Sequence, residues 1–287
     1  MVDHSNEEIF LSCKDHTVSG EIFQLLKNKE LDMLVTSPKP TAEKLPSYYQ
    51  SEDYISHTDA KRSIFEKVYH LVKKYALAKK VRTITRYQKQ KGQLLDIGAG
   101  TGDFLREAKK RGWDIAGIEP DEQARALAGK KGIELQKNTQ HLDDECFDAI
   151  TMWHVLEHVP DLEKQILELK RLLKKDGTIF IAVPNFNSYD ANHYKEFWAA
   201  YDVPRHLWHF SKKSIAILFE KYQMQIIQIL PMKFDAYYVS LLSEKYKTGK
   251  MNTIKAFLTG VKSNLTATSS GEYSSLIYII EKKELGN

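Results

Sequence analysis

Apolar and polar positions along this chain follow two different periods, and the switching between them marks its parts. From Gln93 onward, short apolar runs of strand length alternate with stretches whose apolar residues recur every three or four positions. That is the pattern of a mostly parallel sheet, doubly wound with helices on both faces. The runs predict strands at Leu94–Ile97, Asp114–Ile118, Ile133–Leu135, Phe147–Met152, Thr178–Val183, Gln225–Leu230 and Ser275–Glu281. A helix starting near Asp103 turns Phe104, Leu105 and Ala108 inward, and Asp121 caps the next. A third, capped by Asp161, buries Leu162, Ile166, Leu169, Leu172 and Leu173 and closes on Lys174, Lys175 and Gly177. A fourth, capped by Ser211, turns Ile215, Leu218 and Phe219 inward.

Residues 1–58 break this pattern. Their apolar pieces, Glu21–Leu26 and Leu31–Val35, are interrupted by Pro38, Pro40 and Pro46, and a tyrosine-rich stretch follows, so a small irregular N-terminal module is expected. From Asp59, a candidate N-cap, Ile64, Val68, Leu71 and Tyr75 recur at helical spacing, and residues 59–92 read as one linking helix before the main domain, 93–287. Between the last two strands lie about forty residues, Pro231–Tyr273, where a short hairpin would suffice. With the last strand antiparallel to the first six, this connection leaves from the carboxyl edge of the sheet, where open α/β folds bind ligands. A helical lid insertion at about 231–273 is expected.

Composition changes the picture little. Of 287 residues, 42% are hydrophobic and 28% charged, which suits a globular domain with an appendage. No apolar run approaches the roughly 20 residues that span a bilayer, and MVDHSNEEIF is too acidic for a signal peptide, so no stable membrane insertion and a cytoplasmic location are expected. Two isolated cysteines, Cys13 and Cys146, make no disulfide framework. The net charge of +4 is dispersed, and the lysines from Lys73 to Arg86 read as a helix's solvated face, so no nucleic-acid partner is expected.

The chemistry is concentrated in LLDIGAGTGDF, Leu94 to Phe104, where Gly98, Gly100 and Gly102 occupy the turn between the first main-domain strand and its helix. Glycines let backbone approach a ligand closely. Glu119 ends the next strand, twenty-one residues beyond Gly98, where a carboxylate can accept from both hydroxyls of a ribose. A dinucleotide turn would read G-x-G-x-x-G, but Asp103 stands at the third glycine's position. A carboxylate there repels a pyrophosphate. Together with Asp96 it tolerates a sulfonium, favouring S-adenosylmethionine over NAD.

LLDIGAGTG, IEP and FDAITMWHVLEHVPD resemble successive motifs of class I S-adenosylmethionine-dependent methyltransferases, especially the ubiquinone-type O-methyltransferase group, from about Gln93 to Leu230. The resemblance implies a Rossmann-like seven-stranded sheet, with Gly98, Gly100 and Gly102 beside the methionine part of the cofactor and Asp96, Ala99, Thr101 and Phe104 also among its binding residues. It also implies Glu119 and Pro120 at the ribose, Thr139 and Gln140 near adenine, and Trp153 and His154 lining the pocket. An acidic residue common near Thr139 in that family is absent here.

His154, Glu157 and His158 also spell H-x-x-E-H, a zinc-peptidase signature when carried on a long helix. Here the segment is a short turn before Pro160, and no third ligand is indicated. Some ubiquinone-group relatives use acidic and histidine ligands for a divalent ion at this place. The favoured reading nevertheless has Glu157 and His158 bonding to neighbouring backbone, with no metal assigned. The loop from Pro184 to Phe210 carries Trp198, Tyr201, Asp202, Arg205, His206, Trp208 and His209, dense enough at the ligand edge to suggest a substrate wall formed by Trp198, Tyr201, Arg205 and His206. Anchoring of the loop is the competing role. Tyr48, Tyr49 and Tyr54 either fold over the cofactor or pack the module, and Cys13-Lys-Asp-His16 is too little for a zinc site.

Methyl transfer from a sulfonium is an in-line displacement, and a hydroxyl acceptor needs a base; His154, His206 and His209 are the candidates. The strand that ends at Met152 is followed by Trp153-His154-Val155, where amino-directed nucleic-acid enzymes carry D/N-P-P-Y/F. The expectation is O-methylation of a small-molecule or lipid-like acceptor, with a catalytically silent cofactor-binding scaffold as the alternative. The acceptor, the base and the oligomeric state stay open.

Overall fold

The computed structural model describes residues 8–41, 43–49, 64–88 and 90–283, with backbone alone for 64–73. Asp59 and Tyr54 lie outside the described residues. The chain opens with an antiparallel meander, β1 (Glu8–Lys14), β2 (Ile22–Asn28) and β3 (Met33–Ser37). The expectation of an irregular module is thereby corrected. Buried Phe23 and Leu25 flank exposed Gln24 in the two-residue alternation of a half-covered sheet. The meander is joined by a fourth strand, β8 (Trp208–His209), which pairs with Leu34 and Val35.

Helix α1 (Ile64–Tyr87) lays Val81 and Ile84 against the main sheet. Of the residues expected on its inward face, the side chains of Ile64, Val68 and Leu71 lie outside the described residues, and Tyr75 is exposed, with its ring edge-on to Phe234. Then come β4 (Gln93–Ile97), α2 (Asp103–Lys110), β5 (Asp114–Ile118), α3 (Glu122–Gly129), β6 (Phe147–Trp153), α4 (Leu162–Leu172) and β7 (Leu173–Pro184). After a long segment containing the short α5 (Tyr189–Tyr194) and β8 come α6 (Lys212–Glu220) and β9 (Met224–Pro231). The connection beyond β9 holds α7 (Asp235–Thr248) and α8 (Thr253–Ser270), and β10 (Ser275–Lys282) follows.

Among the described residues the main sheet has six strands in the order β5-β4-β6-β7-β10-β9, with β10 antiparallel to both neighbours. The expected seventh strand, Ile133–Leu135, reduces to one bridge between Ile118 and Gln136. Two backbone bonds form there, Gln136 N to Gly117 O and Glu119 N to Gln136 O, and the polar run Lys137–Gln140 then leaves the sheet. Side-chain alternation divides the core. Leu95, Ile97, Ile150 and Met152 face α4 and α6, whereas Leu94, Ala149 and Phe180 face α1 and α2.

Asp121, Asp161 and Ser211 accept from the third backbone N–H of their helices, and Ser211 with Ser214 completes a capping box. Lys174, Lys175 and Gly177, expected at the end of α4, lie in β7, because the chain is already extended at Leu173.

Candidate active site

The carboxyl ends of β4, β5 and β6 meet where strand order reverses, and the glycine turn sits there. Gly98 and Ala99 donate to Ile118 O at 2.8 and 2.9 Å, tying the turn to β5. Gly98 has φ +73°, and a Cβ on it would lie 2.4 Å from Val155 Cγ2. Gly100, at φ +53°, has nothing within 4 Å of where a Cβ would stand, so its backbone faces open space. Glu119 Oε2 accepts from Gly100 N at 2.7 Å and Oε1 from Asp121 N at 3.0 Å. Acceptor capacity remains on both oxygens for two hydroxyls.

Asp103 does not contribute the free charge that the sequence suggested, because Lys131 Nζ pairs with it at 2.7 Å and holds Thr101 Oγ1 at 2.8 Å. Asp96 is buried and accepts from Thr151 Oγ1 at 2.6 Å. Burial pushes its carboxyl up to about 7, against the lowering effects of Thr151 and the Lys80 ammonium. Lys80 Nζ stands 4.3 Å from the centroid of the Trp153 ring, and its charge is also felt by Asp235. Burial draws the Lys80 pKa down against the pull of Asp235 and Asp96. Phe104 meets Trp153 edge-on at 5.6 Å, and the buried Trp153 Nε1 has no hydrogen-bond partner among the described residues. An uncovered glycine turn after β4 and an orphaned indole N–H at the end of the neighbouring β6 thus lie at the same edge of the sheet.

His154 follows β6 in the left-handed region, φ +57°, held by its N–H to Ala182 O. Its Nδ1 is 3.3 Å from Glu157 Oε1, and its Nε2 is 3.1 Å from Asp235 Oδ2 at the start of α7. Burial alone would lower this imidazole, but the carboxylates of Asp235 and Glu157 outweigh it and raise the pKa to about 9. Glu157 is also buried, and His154 is foremost among the groups that hold it ionised below the usual carboxylate range.

His158 Nδ1 donates to Arg205 O at 3.0 Å, and His206 Nδ1 donates to Ala200 O at 2.9 Å. Each leaves Nε2 available, and ligand atoms of these two and of the Glu157 carboxylate lie within 4.8 Å of one another. These are the described residues able to hold a divalent ion together. His158 does bond to backbone, as the sequence suggested; the Glu157 carboxylate does not.

Of the expected substrate wall, His206 lies beside Glu157 and His158, whereas Trp198, Tyr201 and Arg205 are buried against the N-terminal module. Trp198 and Tyr201 pack with Phe23, Leu25, Leu34 and Tyr48 beneath the N-terminal sheet. Trp198 Nε1 donates to Asp190 Oδ2 at 2.7 Å. Arg205 Nη2 pairs with Asp15 at 3.0 Å and Asp202 at 2.6 Å, while Nη1 donates to Tyr48 O at 2.9 Å. His209 Nε2–H donates to Thr36 Oγ1 at 3.0 Å, because that hydroxyl already gives its own hydrogen to His206 O. These residues anchor the loop to the module, since aromatic side chains dense in a loop also suit a shared core. Burial lowers His206 to about 4 and His209 well below the ordinary histidine value, aided by the neighbouring imidazoles. Tyr48 is buried in the module, and Tyr49 Oη lies 3.1 Å from His158 Nδ1. The Cys13 thiol is pushed up to about 12 by burial, and His16 stacks on Tyr246 at 4.6 Å.

Thr139 is half-buried with its carbonyl 3.4 Å from Arg171, Gln140 and Pro120 are exposed, and Ala99 is buried in the turn. Sequence reading missed Lys80 and Asp235. Lys80 had one signal, a lysine set among Leu77, Val81 and Ile84 on the buried stripe of α1. Asp235 had none beyond its place at a helix start.

A family model described as a methyltransferase domain matches residues 69–229, more than half of the chain. The chain belongs to the methyltransferase-domain family. The ubiquinone biosynthesis O-methyltransferase of Actinobacillus pleuropneumoniae serotype 7 is 34% identical to it over 107 residues, covering 32% of this chain and 46% of the relative. That of Aeromonas salmonicida is 31% identical over 105 residues, 33% and 44%. The chain thus spans less than half the length of these curated relatives. A methyltransferase of Thermotoga maritima matches the fold with a TM-score of 0.51 and 21% identity over 77% of this chain and 99% of its own. The geranyl diphosphate C-methyltransferase of Streptomyces coelicolor gives 0.53 and 13% over 78% and 88%. Fold and family are those of S-adenosylmethionine-dependent methyltransferases, and S-adenosylmethionine is the cofactor for which the open glycine turn and Glu119 leave room.

Proposed function

We propose that this chain transfers the methyl group of S-adenosylmethionine to a hydroxyl oxygen of a small-molecule or lipid-like acceptor. The observation that carries this reading is His154, held at the end of β6 beside the glycine turn with Nδ1 toward Glu157 and Nε2 toward the lid helix. When bound, the cofactor supplies an electrophilic methyl on a sulfonium, with S-adenosylhomocysteine as leaving group. Glu119 orients the ribose, and the glycine turn admits the methionyl part. Glu157 fixes the imidazole so that Nε2 can take the acceptor's hydroxyl proton once Asp235 has moved aside. The name of the curated relatives supports oxygen as the acceptor atom.

Calorimetric titration with S-adenosylmethionine, S-adenosylhomocysteine and NADH tests the cofactor part. Binding of the first two alone is the expected result, and binding of NADH alone would remove the reading. Glu119→Ala should weaken S-adenosylmethionine by about 1–3 kcal/mol through lost hydrogen bonds. Unchanged affinity in the folded variant would take Glu119 out of the site. Screening hydroxylated acceptors against amines tests the acceptor atom.

A further inference from the structure

Helix α8 is packed inside out. Its inward stripe is small, with Ala256, Gly260, Ser263 and Ala267 buried, while Ile254, Phe257, Leu258 and Leu265 are 73%, 59%, 59% and 65% exposed. The outward residues recur at i, i+3, i+4 and i+11, one continuous apolar stripe. This register is fixed. A Cβ on Gly260 would fall 2.6 Å from Tyr237 Cδ1 of α7, and Ser263 Oγ donates to the buried Asp190 at 2.7 Å. Turning the large side chains inward would break both contacts.

Charge says what covers the stripe. From Lys245 to Gly271 there is no aspartate or glutamate, but five lysines: Lys245, Lys247, Lys250, Lys255 and Lys262. Set against Asp235 and Glu244 of α7, these five lysines leave the hairpin Asp235–Ser270 with a net charge of +3, beside +4 for the whole chain. A second copy seated here by two-fold symmetry would set these lysines near their own duplicates. An exposed apolar stripe in a hairpin of net positive charge, on a helix that cannot span a bilayer, matches an anionic lipid surface.

We propose that the α7–α8 hairpin docks on an anionic lipid surface, with α8 in the interfacial plane and Ile254, Phe257, Leu258 and Leu265 among the acyl chains. Docking brings the α7 end that carries Asp235, and hence the His154 pocket, close to lipid. It does not rest on methyl transfer.

The full chain, without cofactor, is sedimented with vesicles of phosphatidylcholine alone and of phosphatidylcholine mixed with phosphatidylglycerol. Co-sedimentation with the mixed vesicles only, reversed by high salt, is expected. Phe257→Glu/Leu258→Glu should lower the partition at least about tenfold, and Lys250→Glu/Lys255→Glu should remove the dependence on anionic lipid. Unchanged circular dichroism and S-adenosylmethionine affinity show that the exposed-site variants remain folded. Equal binding by wild type and both variants, or no binding by wild type, overturns the proposal. So does vesicle-free self-association in sedimentation velocity that Phe257→Glu/Leu258→Glu abolishes, because the stripe would then be an interface between copies.

Discussion

Arg205→Met is expected to destabilise the fold by about 3–5 kcal/mol, because it leaves buried carboxylate charge uncompensated. The guanidinium is 3% exposed and joins three parts of the chain: Asp15 after β1, Tyr48 O before α1, and Asp202 in the loop that follows β7. Burial pushes both carboxyls up. At Asp15 the Ser19 amide, then Arg205 and the Thr17 amide, overrule it, and at Asp202 the Arg205 pairing leads, so both carboxyls are held below the usual carboxylate range. A depressed carboxyl contributes stability that is present above its unfolded pKa, about 3.9, and is lost as pH falls through the folded value. Urea denaturation near neutral pH should show the loss, and the acid-dependent part should shrink in the variant. A change under about 1 kcal/mol would mean that Arg205 is not what clasps the module to the core. Arg205→Lys should restore little, since one ammonium cannot meet two carboxylates and a carbonyl in fork geometry.

The second large effect concerns chemistry. His154→Gln is expected to lower kcat by about 10²–10⁴-fold with a hydroxyl acceptor, the range for loss of a general base. S-adenosylmethionine affinity should change little. The pH profile supplies a sharper criterion. The imidazole pKa is raised to about 9 by Asp235 and Glu157 against burial, so the latch between His154 and α7 is fully present below about 6.5 and is lost as pH rises through about 9. The free enzyme's kcat/KM should therefore climb toward pH 9. Asp235→Asn should move that limb toward lower pH, since one raising partner is gone. A limb unmoved by Asp235→Asn, or a His154→Gln variant of full activity, would rule out His154 as the base.

The glycine turn, Glu119 and the helix caps Asp121, Asp161 and Ser211 were legible because each acts through residues a few positions away, at fixed offsets. The N-terminal meander was partly legible: Phe23, Gln24 and Leu25 alternate, but the strands are short, and their last partner, Trp208–His209, lies about 170 residues further on. The loop after β7 was misread for a physical reason. Aromatic and ionisable side chains close to a ligand edge look alike whether they face a substrate or fill a core shared with another module, and only the meander's position decides between them.

Sequence by itself determined the α/β alternation, the cofactor turn and the faces that helices α2, α4 and α6 bury, because periodicity and capping are local. Tertiary structure alone decided which histidine meets the pocket. His154 gains Asp235 from eighty-one residues away, whereas His206, beside Glu157 and His158, and His209, bonded to Thr36 of the N-terminal sheet, are desolvated. Burial and ion pairing set those protonation states, and both are properties of what surrounds a side chain, which its place in the chain does not encode.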